Sequence, residues 1–322
     1  MSHVRITGSL TAGEIEGVLS LAAAARASDG VDPLSEQTLL RVRHGSVADG
    51  VRFHLLYEGP GSAPDALAGF AFAERGDPAA GPGSAELVVA PGHRRRGYGA
   101  RLLRSLTEDS GPHGTRVWAH GRLAGAQALA RAAGWAQVRG LYKMRMPLRD
   151  SSGAPVQLPQ PVLRGDAGDR LTIRTFVVGA DEERWLRVNA RAFASHPEQG
   201  GVTLADLRQR VAEDWFDPAG FFVAEDADGS LVGFHWTKVH ADGAGLSDTE
   251  PVGEVYVVGV DPDWQGSGLG RALTLVGVRH LRDRGLPWVL LYVDEANRAA
   301  VRLYESIGFT LWDADVMYAP AG

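Results

Sequence analysis

Apolar positions recur along the 322 residues in two rhythms, one with a period near two and one near 3.6, and the order in which the two alternate is repeated. In the first half a β-rich run over 85–89 leads through Pro91 into His-Arg-Arg-Arg-Gly-Tyr-Gly and then an amphipathic stretch over 100–106. In the second half a run over 254–260 leads through Pro262 into Trp-Gln-Gly-Ser-Gly-Leu-Gly and then a stretch over 271–281. Further on, a strand over 115–119 precedes a helix and Ala133-Gly134-Trp135, while a strand over 288–293 precedes a helix and Ile307-Gly308-Phe309. This order predicts a mixed α/β class in each half, with some parallel pairing. Upstream, the runs over 51–57 and 66–74, and those over 221–225 and 231–239, read as antiparallel hairpin strands. Amphipathic helices over 15–27 and 182–193 precede them.

Between the halves, residues 149–170 are rich in Pro, Gly, Ser and Asp and lack an apolar period. The expected domains are therefore 1–148 and 170–322, joined by a linker over 149–169. The length agrees, because one core rarely serves much more than about 250 residues. Composition narrows the partners. Hydrophobic residues make up 44% and charged residues 22%, and no apolar run is long enough to span a bilayer, so no membrane partner is expected. A net charge of −6 argues against a nucleic-acid coat. The amino-terminal residues lack a basic, then apolar, export signal, which predicts a cytoplasmic protein, read here as a monomer. With no cysteine, disulfides, thiolate metal sites and a cysteine nucleophile are excluded. No spaced His and carboxylate cluster points to a metal.

The candidate chemistry lies in the glycine-rich turns. Gln265-Gly266-Ser267-Gly268-Leu269-Gly270, between strand and helix, would gather backbone N–H groups and the positive end of a helix around one point, which suits a pyrophosphate. A dinucleotide fingerprint needs one more residue in the last gap, and a P-loop needs Lys then Ser or Thr where Arg271-Ala272 stands. A turn without ligand is the competing reading for one copy. A second copy in the equivalent place weighs against it.

Both Arg94-Arg95-Arg96-Gly97-Tyr98-Gly99 and the loop at 265–270 resemble the pyrophosphate loop of the GNAT acetyltransferase superfamily. The run Asn297-Arg298-Ala299-Ala300-Val301-Arg302-Leu303-Tyr304-Glu305-Ser306-Ile307-Gly308-Phe309 resembles that family's second signature. The resemblance implies two tandem domains, each a mixed central sheet flanked by helices, with acetyl-CoA as co-substrate. It implies that Val258, Gly259 and Val260, like Leu87, Val88 and Val89, pair their backbone with the pantetheine arm, and that Arg271 and residues 297–302 complete the second site. Tyr304 would protonate the departing thiolate. The first half has Ala130 at that position and Leu123 or Ala124 where Asn297 stands, so it is expected to bind acetyl-CoA without transferring acetyl.

Period-two alternation puts Glu254 on one face with Tyr256 and Val258. Its carboxylate would orient the substrate ammonium or remove its proton, directly or through water; an ordinary polar strand start is the equal alternative. The stretches over 193–200 and 233–238 resemble a narrower group of tandem members that acetylate the cysteinyl amine of a cysteinyl-glucosaminyl-inositol, a small amino-sugar thiol. That resemblance implies substrate contacts from Glu36, Glu198, Lys238, Glu254 and Tyr292. Each has a plainer reading: Glu36 as a helix-dipole partner, Glu198 as a turn carboxylate, Lys238 as an edge charge, Tyr292 as core packing. His196 and His235 suit packing and are given no catalytic role. Rival functions are transfer to another amine, such as an aminoglycoside or a protein amino terminus, and a non-catalytic acyl-CoA sensor.

Overall fold

The structure, a computed structural model, describes residues 2–44, 50–59, 67–76, 81–165, 167–194, 197–243 and 250–321. Packing divides them into two units. The first holds residues 1–142, 294–296 and 313–322, and the second holds 143–293 and 297–312.

The first unit opens with β1 (Ser2–Thr7), α1 (Ala12–Asp29) and α2 (Glu36–His44). Thr11 starts α1 with a reciprocal capping box to Glu14, and Gly30 ends it in the left-handed conformation at φ 73°. There follow β2 (Val51–Glu58), β3 (Leu67–Glu74), β4 (Gly83–Val89), α3 (Tyr98–Asp109), β5 (Thr115–Ala119), α4 (Ala124–Ala132) and β6 (Trp135–Pro147), whose last residues belong to the second unit. Strands β1 to β4 pair antiparallel in order, and β4 pairs parallel with β5. Alternation along β2 and β3 sends Phe53, Leu55 and Phe70 to α1 and α2. It sends Leu56 and Ala71 to the opposite face, against Leu102 and Leu106 of α3.

The second unit repeats the plan. It contains α5 (Ala167–Arg170), β7 (Leu171–Thr175), α6 (Glu182–Ala192), α7 (Pro197–Gly200), α8 (Leu204–Val211), β8 (Phe221–Asp226), β9 (Leu231–His240), β10 (Val252–Val260), α9 (Leu269–Asp283), β11 (Trp288–Asp294) and α10 (Arg298–Ile307). Strands β7 to β10 are antiparallel neighbours, and β10 runs parallel to β11. One face buries Trp185 of α6 among Phe221, Phe234 and Trp236, with Trp185 fully enclosed. The other face packs Ala224 and Val232 on Leu269 and Leu273 of α9.

The final strand, β12 (Thr310–Pro320), passes from the second unit into the first, where Val316, Met317 and Tyr318 pair antiparallel with Ala119, Trp118 and Val117. The boundary expected from sequence left the whole carboxyl-terminal strand in the second domain; packing assigns residues 313–322 to the first unit. The segment read as a linker is tied down in the second unit. Arg279 of α9 donates to the carbonyls of Leu158 and Pro159 at 2.9 and 2.8 Å, and the Arg164 N–H donates to Ser267 O at 2.7 Å. Among the described residues no helix is long and apolar enough to cross a membrane.

Candidate active site

Both units part their sheets at the same place. Strand β4 pairs with β5 only from Gly83 to Glu86, so Leu87, Val88 and Val89 run on without that neighbour. Strand β10 pairs with β11 only from Gly253 to Val255, while Val258, Gly259 and Val260 stay bonded to β9 on the other side. The freed backbone edge offers N–H and C=O groups in strand spacing to which an extended chain can pair.

At the end of each splayed strand the chain turns into an uncapped helix. In the second unit Gly266 and Gly268 are left-handed at φ 84° and 87°, and Gly268 starts α9 with no side-chain cap. Leu269, Gly270 and Arg271 form its first turn; the Leu269 N–H donates to Ser267 Oγ at 3.3 Å, which leaves the N–H groups of Gly270 and Arg271 at the positive end of the helix dipole. Gly270 lies close to Val260 and to Leu303 of α10, with room for a Cβ only at 3.6 and 3.9 Å from them. In the first unit Gly97 begins α3 in the same way at φ 82°. Arg95 occupies the place of Gly266 and is the one non-glycine residue with positive φ among the described residues, at 63°.

A cavity of about 630 Å³ in the first unit gathers Leu87, Val88, Val89, Arg94, Arg95, Gly97, Tyr98 and Gly99. Arg96 does not line it and pairs with Glu58 at 3.2 Å. Arg94 makes a bidentate pair with Asp29 at 2.6 and 2.7 Å, a bond that raises its pKa, so its charge is already matched. Of the three loop arginines, two thus face acids of their own unit.

In the second unit Asn297 caps α10, its Oδ1 accepting from Ala300 N at 3.1 Å, and residues 298–302 form the first turns behind it. The corresponding helix α4 starts at Leu123 with no side-chain cap and carries buried Ala130 at the tyrosine position. Tyr304 sits on α10 edge-on to Phe309, centroids 5.9 Å apart, and burial pushes its hydroxyl up to about 12. At neutral pH it is a phenol with a proton to give.

Glu254 lies near the start of β10, buried, directly across from Lys238 of β9. Its Oε2 is 2.5 Å from Nε2 of His240. Lys238 is buried as well and sets its ammonium 4.6 Å above the Trp215 ring and 5.5 Å from that of Tyr256. The period-two reading of this strand fails at one point. A bulge between Val255 and Val257 keeps Tyr256 with Trp215 and Trp236 on the face of Glu254, but pairs Val258 with His235, so Val258 looks to the opposite face.

Tyr292 on β11 is 42% exposed, with Lys143 5.9 Å from its ring, so it is not a core residue. Glu36 begins α2 in the first unit and is exposed. Glu198 falls in α7, its side chain outside the described residues, as is His196 altogether. His235 is a core residue: it is fully buried, bonded to Leu273 O at 2.8 Å, and lowered to about 4 by burial. Sequence reasoning missed His240 and Trp215. His240 stands two residues after Lys238 on the same strand face, a signal that was legible. Trp215 comes from a loop and reaches Lys238 only through the fold.

A splayed parallel strand pair beside an uncapped, glycine-led helix, present twice in one chain, defines a tandem N-acetyltransferase. The pattern of the acetyltransferase (GNAT) family matches residues 32–144 and again 186–309. A mycothiol acetyltransferase of Nocardiopsis dassonvillei is 63% identical over 313 residues, spanning 95% of this chain and 92% of that protein. One of Thermobifida fusca is 61% identical over 99% of this chain and 98% of that protein. Among solved structures, a GCN5-related N-acetyltransferase from Sphaerobacter thermophilus superposes with TM-score 0.67 at 23% identity, over 98% of this chain and 94% of that one. A tandem GNAT protein from the clavulanic acid pathway gives 0.66 at 18% identity, with both chains fully covered. The chain belongs to the acetyltransferase (GNAT) family and, within it, to the mycothiol acetyltransferases. It is an acetyl-CoA-dependent N-acetyltransferase.

Proposed function

We propose that the second unit transfers the acetyl group of acetyl-CoA to the cysteinyl amine of a cysteinyl-glucosaminyl-inositol, giving mycothiol and CoA. The observation that carries this reading is a buried carboxylate, Glu254, beside the splayed β10 of a chain that is 63% identical to a mycothiol acetyltransferase over nearly its full length.

The chemistry follows from the groups present. An ammonium is no nucleophile, so Glu254 takes one proton from it, directly or through a water. The free amine attacks the thioester carbonyl, forming the C–N bond, and the nitrogen of the tetrahedral adduct gives its surplus proton to solvent. The C–S bond then breaks, and the departing thiolate takes the hydroxyl proton of Tyr304, which solvent later restores. The loop 265–270, Arg271 and residues 297–302 hold the pyrophosphate and pantetheine, with Val258, Gly259 and Val260 offering the strand edge. Lys238 and Tyr292 contact the polyol. The first unit holds acyl-CoA through Leu87–Val89 and its arginine loop and transfers nothing, because Ala130 carries no proton.

Thiol release from acetyl-CoA, corrected for the acceptor's own thiol, tests the reading. Strong stimulation by the cysteinyl-glucosaminyl-inositol and none by aminoglycosides or peptides is expected. Faster turnover with another amine would discard the acceptor and leave the fold and the acetyl transfer in place.

A further inference from the structure

We propose that His240 is a positioning residue for the carboxylate of Glu254, fixing one oxygen so that the other meets the substrate amine. The proposal rests on the reading of Glu254 as the base.

The fold sets the pair up. His240 ends β9 opposite Val252, and Glu254 lies opposite Lys238, so the imidazole and the carboxylate are diagonal neighbours on one face of an antiparallel pair. Such diagonals lie within reach of long side chains. The reach is used: Nε2 and Oε2 stand 2.5 Å apart, within hydrogen-bond distance. A carboxylate can only accept, so the hydrogen lies on Nε2 of His240. The other oxygen, Oε1, has no side-chain partner among the described residues, and the side chain as a whole is only 9% exposed.

A glutamate carboxylate free to turn about its last torsion presents either oxygen in a range of directions. With Oε2 held, that freedom is lost, and Oε1 is the acceptor that remains. Lys238 reinforces the arrangement from the facing position on β9, where Trp215 and Tyr256 keep its ammonium in place. When the amine gives up its proton, that proton goes to Oε1, and the Nε2 hydrogen stays on His240 throughout. His240 thus never touches substrate; it decides which oxygen does.

Steady-state kinetics on the full chain with acetyl-CoA and cysteinyl-glucosaminyl-inositol test this. His240→Ala is expected to lower kcat about tenfold to a hundredfold, the scale of one hydrogen bond to a charged group, and to leave KM for acetyl-CoA within about twofold. His240→Gln, which returns an N–H near the same place, should recover most of the loss. In the double variant with Glu254→Gln, His240→Ala should cost nothing further. The proposal is overturned if Glu254→Gln is inactive while both His240 variants keep their kcat. It is equally overturned if His240→Gln is as slow as His240→Ala and the losses add in the double variant, which is how a hairpin-closing contact would behave. Full activity of Glu254→Gln would instead remove Glu254 as base, a separate result. Should His240→Ala not fold, the Gln variant alone carries the comparison.

Discussion

In the proposed mechanism Tyr304 acts through a proton that burial keeps on it. With the hydroxyl pushed up to about 12, the phenol stays intact through the neutral range, and in the proposed mechanism its proton is the one the departing thiolate takes. Tyr304→Phe removes that proton and little else, since the ring still packs edge-on to Phe309. Turnover should fall by about 10² to 10⁴ with acetyl-CoA affinity unchanged, measured by steady-state rates and direct binding. A loss below tenfold would hand the proton transfer to water. The place of Tyr304 on α10 was legible because it stands at a fixed distance from Gly308, which ends α10 at φ 118°. The loop glycines were legible for the same reason: positions with positive φ select glycine, and Gly266 and Gly268 occupy two of them. What residue patterns hid was partnership. Nothing in Arg94 announces Asp29, because that pair closes between the end of α1 and a turn 65 positions later.

At the level of elements, the central strands and helices were read close to their observed bounds, since amphipathic rhythm and packing agree there. The helix expected over 182–193 is Glu182–Ala192, and the strand over 115–119 is Thr115–Ala119. The bulge in β10 was not legible. It depends on how β9 and β10 meet, and an extra residue in one strand leaves no mark on local composition. Nor did sequence explain Gly277, in mid α9, where alanine is intrinsically better by about 1 kcal/mol. The structure does: a Cβ at Gly277 would lie 2.2 Å from the ring of His235, which is fully buried and bonded to Leu273 O. An added Cβ thus forces the buried ring or the helix to shift. Gly277→Ala should therefore destabilise the chain by about 1–3 kcal/mol despite the better helix former, seen as a lower denaturant midpoint. A midpoint equal to or above the parent would mean that His235 has another rotamer open to it.

For the whole chain, the duplication was visible in the order of signals, but membership of the last strand was not. Strands β6 and β12 follow the same glycine-aromatic step, and a strand's sheet is decided by the edge it meets, a distant property. In the first unit that edge is β5, and the contact carries a buried charge cluster: His120 stands 3.3 Å from Glu86 of β4 and 3.2 Å from Asp315 of β12. Asp315 also accepts from Gly121 N, and Glu86 from Ser35 N. Burial alone would discharge this imidazole, yet the hydrogen bonds and charges of Asp315 and Glu86 outweigh it and raise His120 to about 9. Glu86, which burial pushes up, is held below its ordinary value by His120 and Ser35. A histidine whose folded pKa lies above its unfolded 6.5 adds stability in full below pH 6.5, and the contribution disappears as pH rises through 9. His54 in the same unit runs the other way: burial lowers it to about 4, so its contribution holds above 6.5 and is lost in acid. Asp315→Asn isolates the first effect, because it leaves His54 untouched and removes one of the two charges that keep His120 protonated. The variant should melt well below the parent near pH 6, and the gap in Tm should narrow as pH climbs from 6.5 to beyond 9. A gap that stayed constant over that range would mean that β12 is held to the first sheet by its backbone ladder and that His120 carries no charge between the two acids.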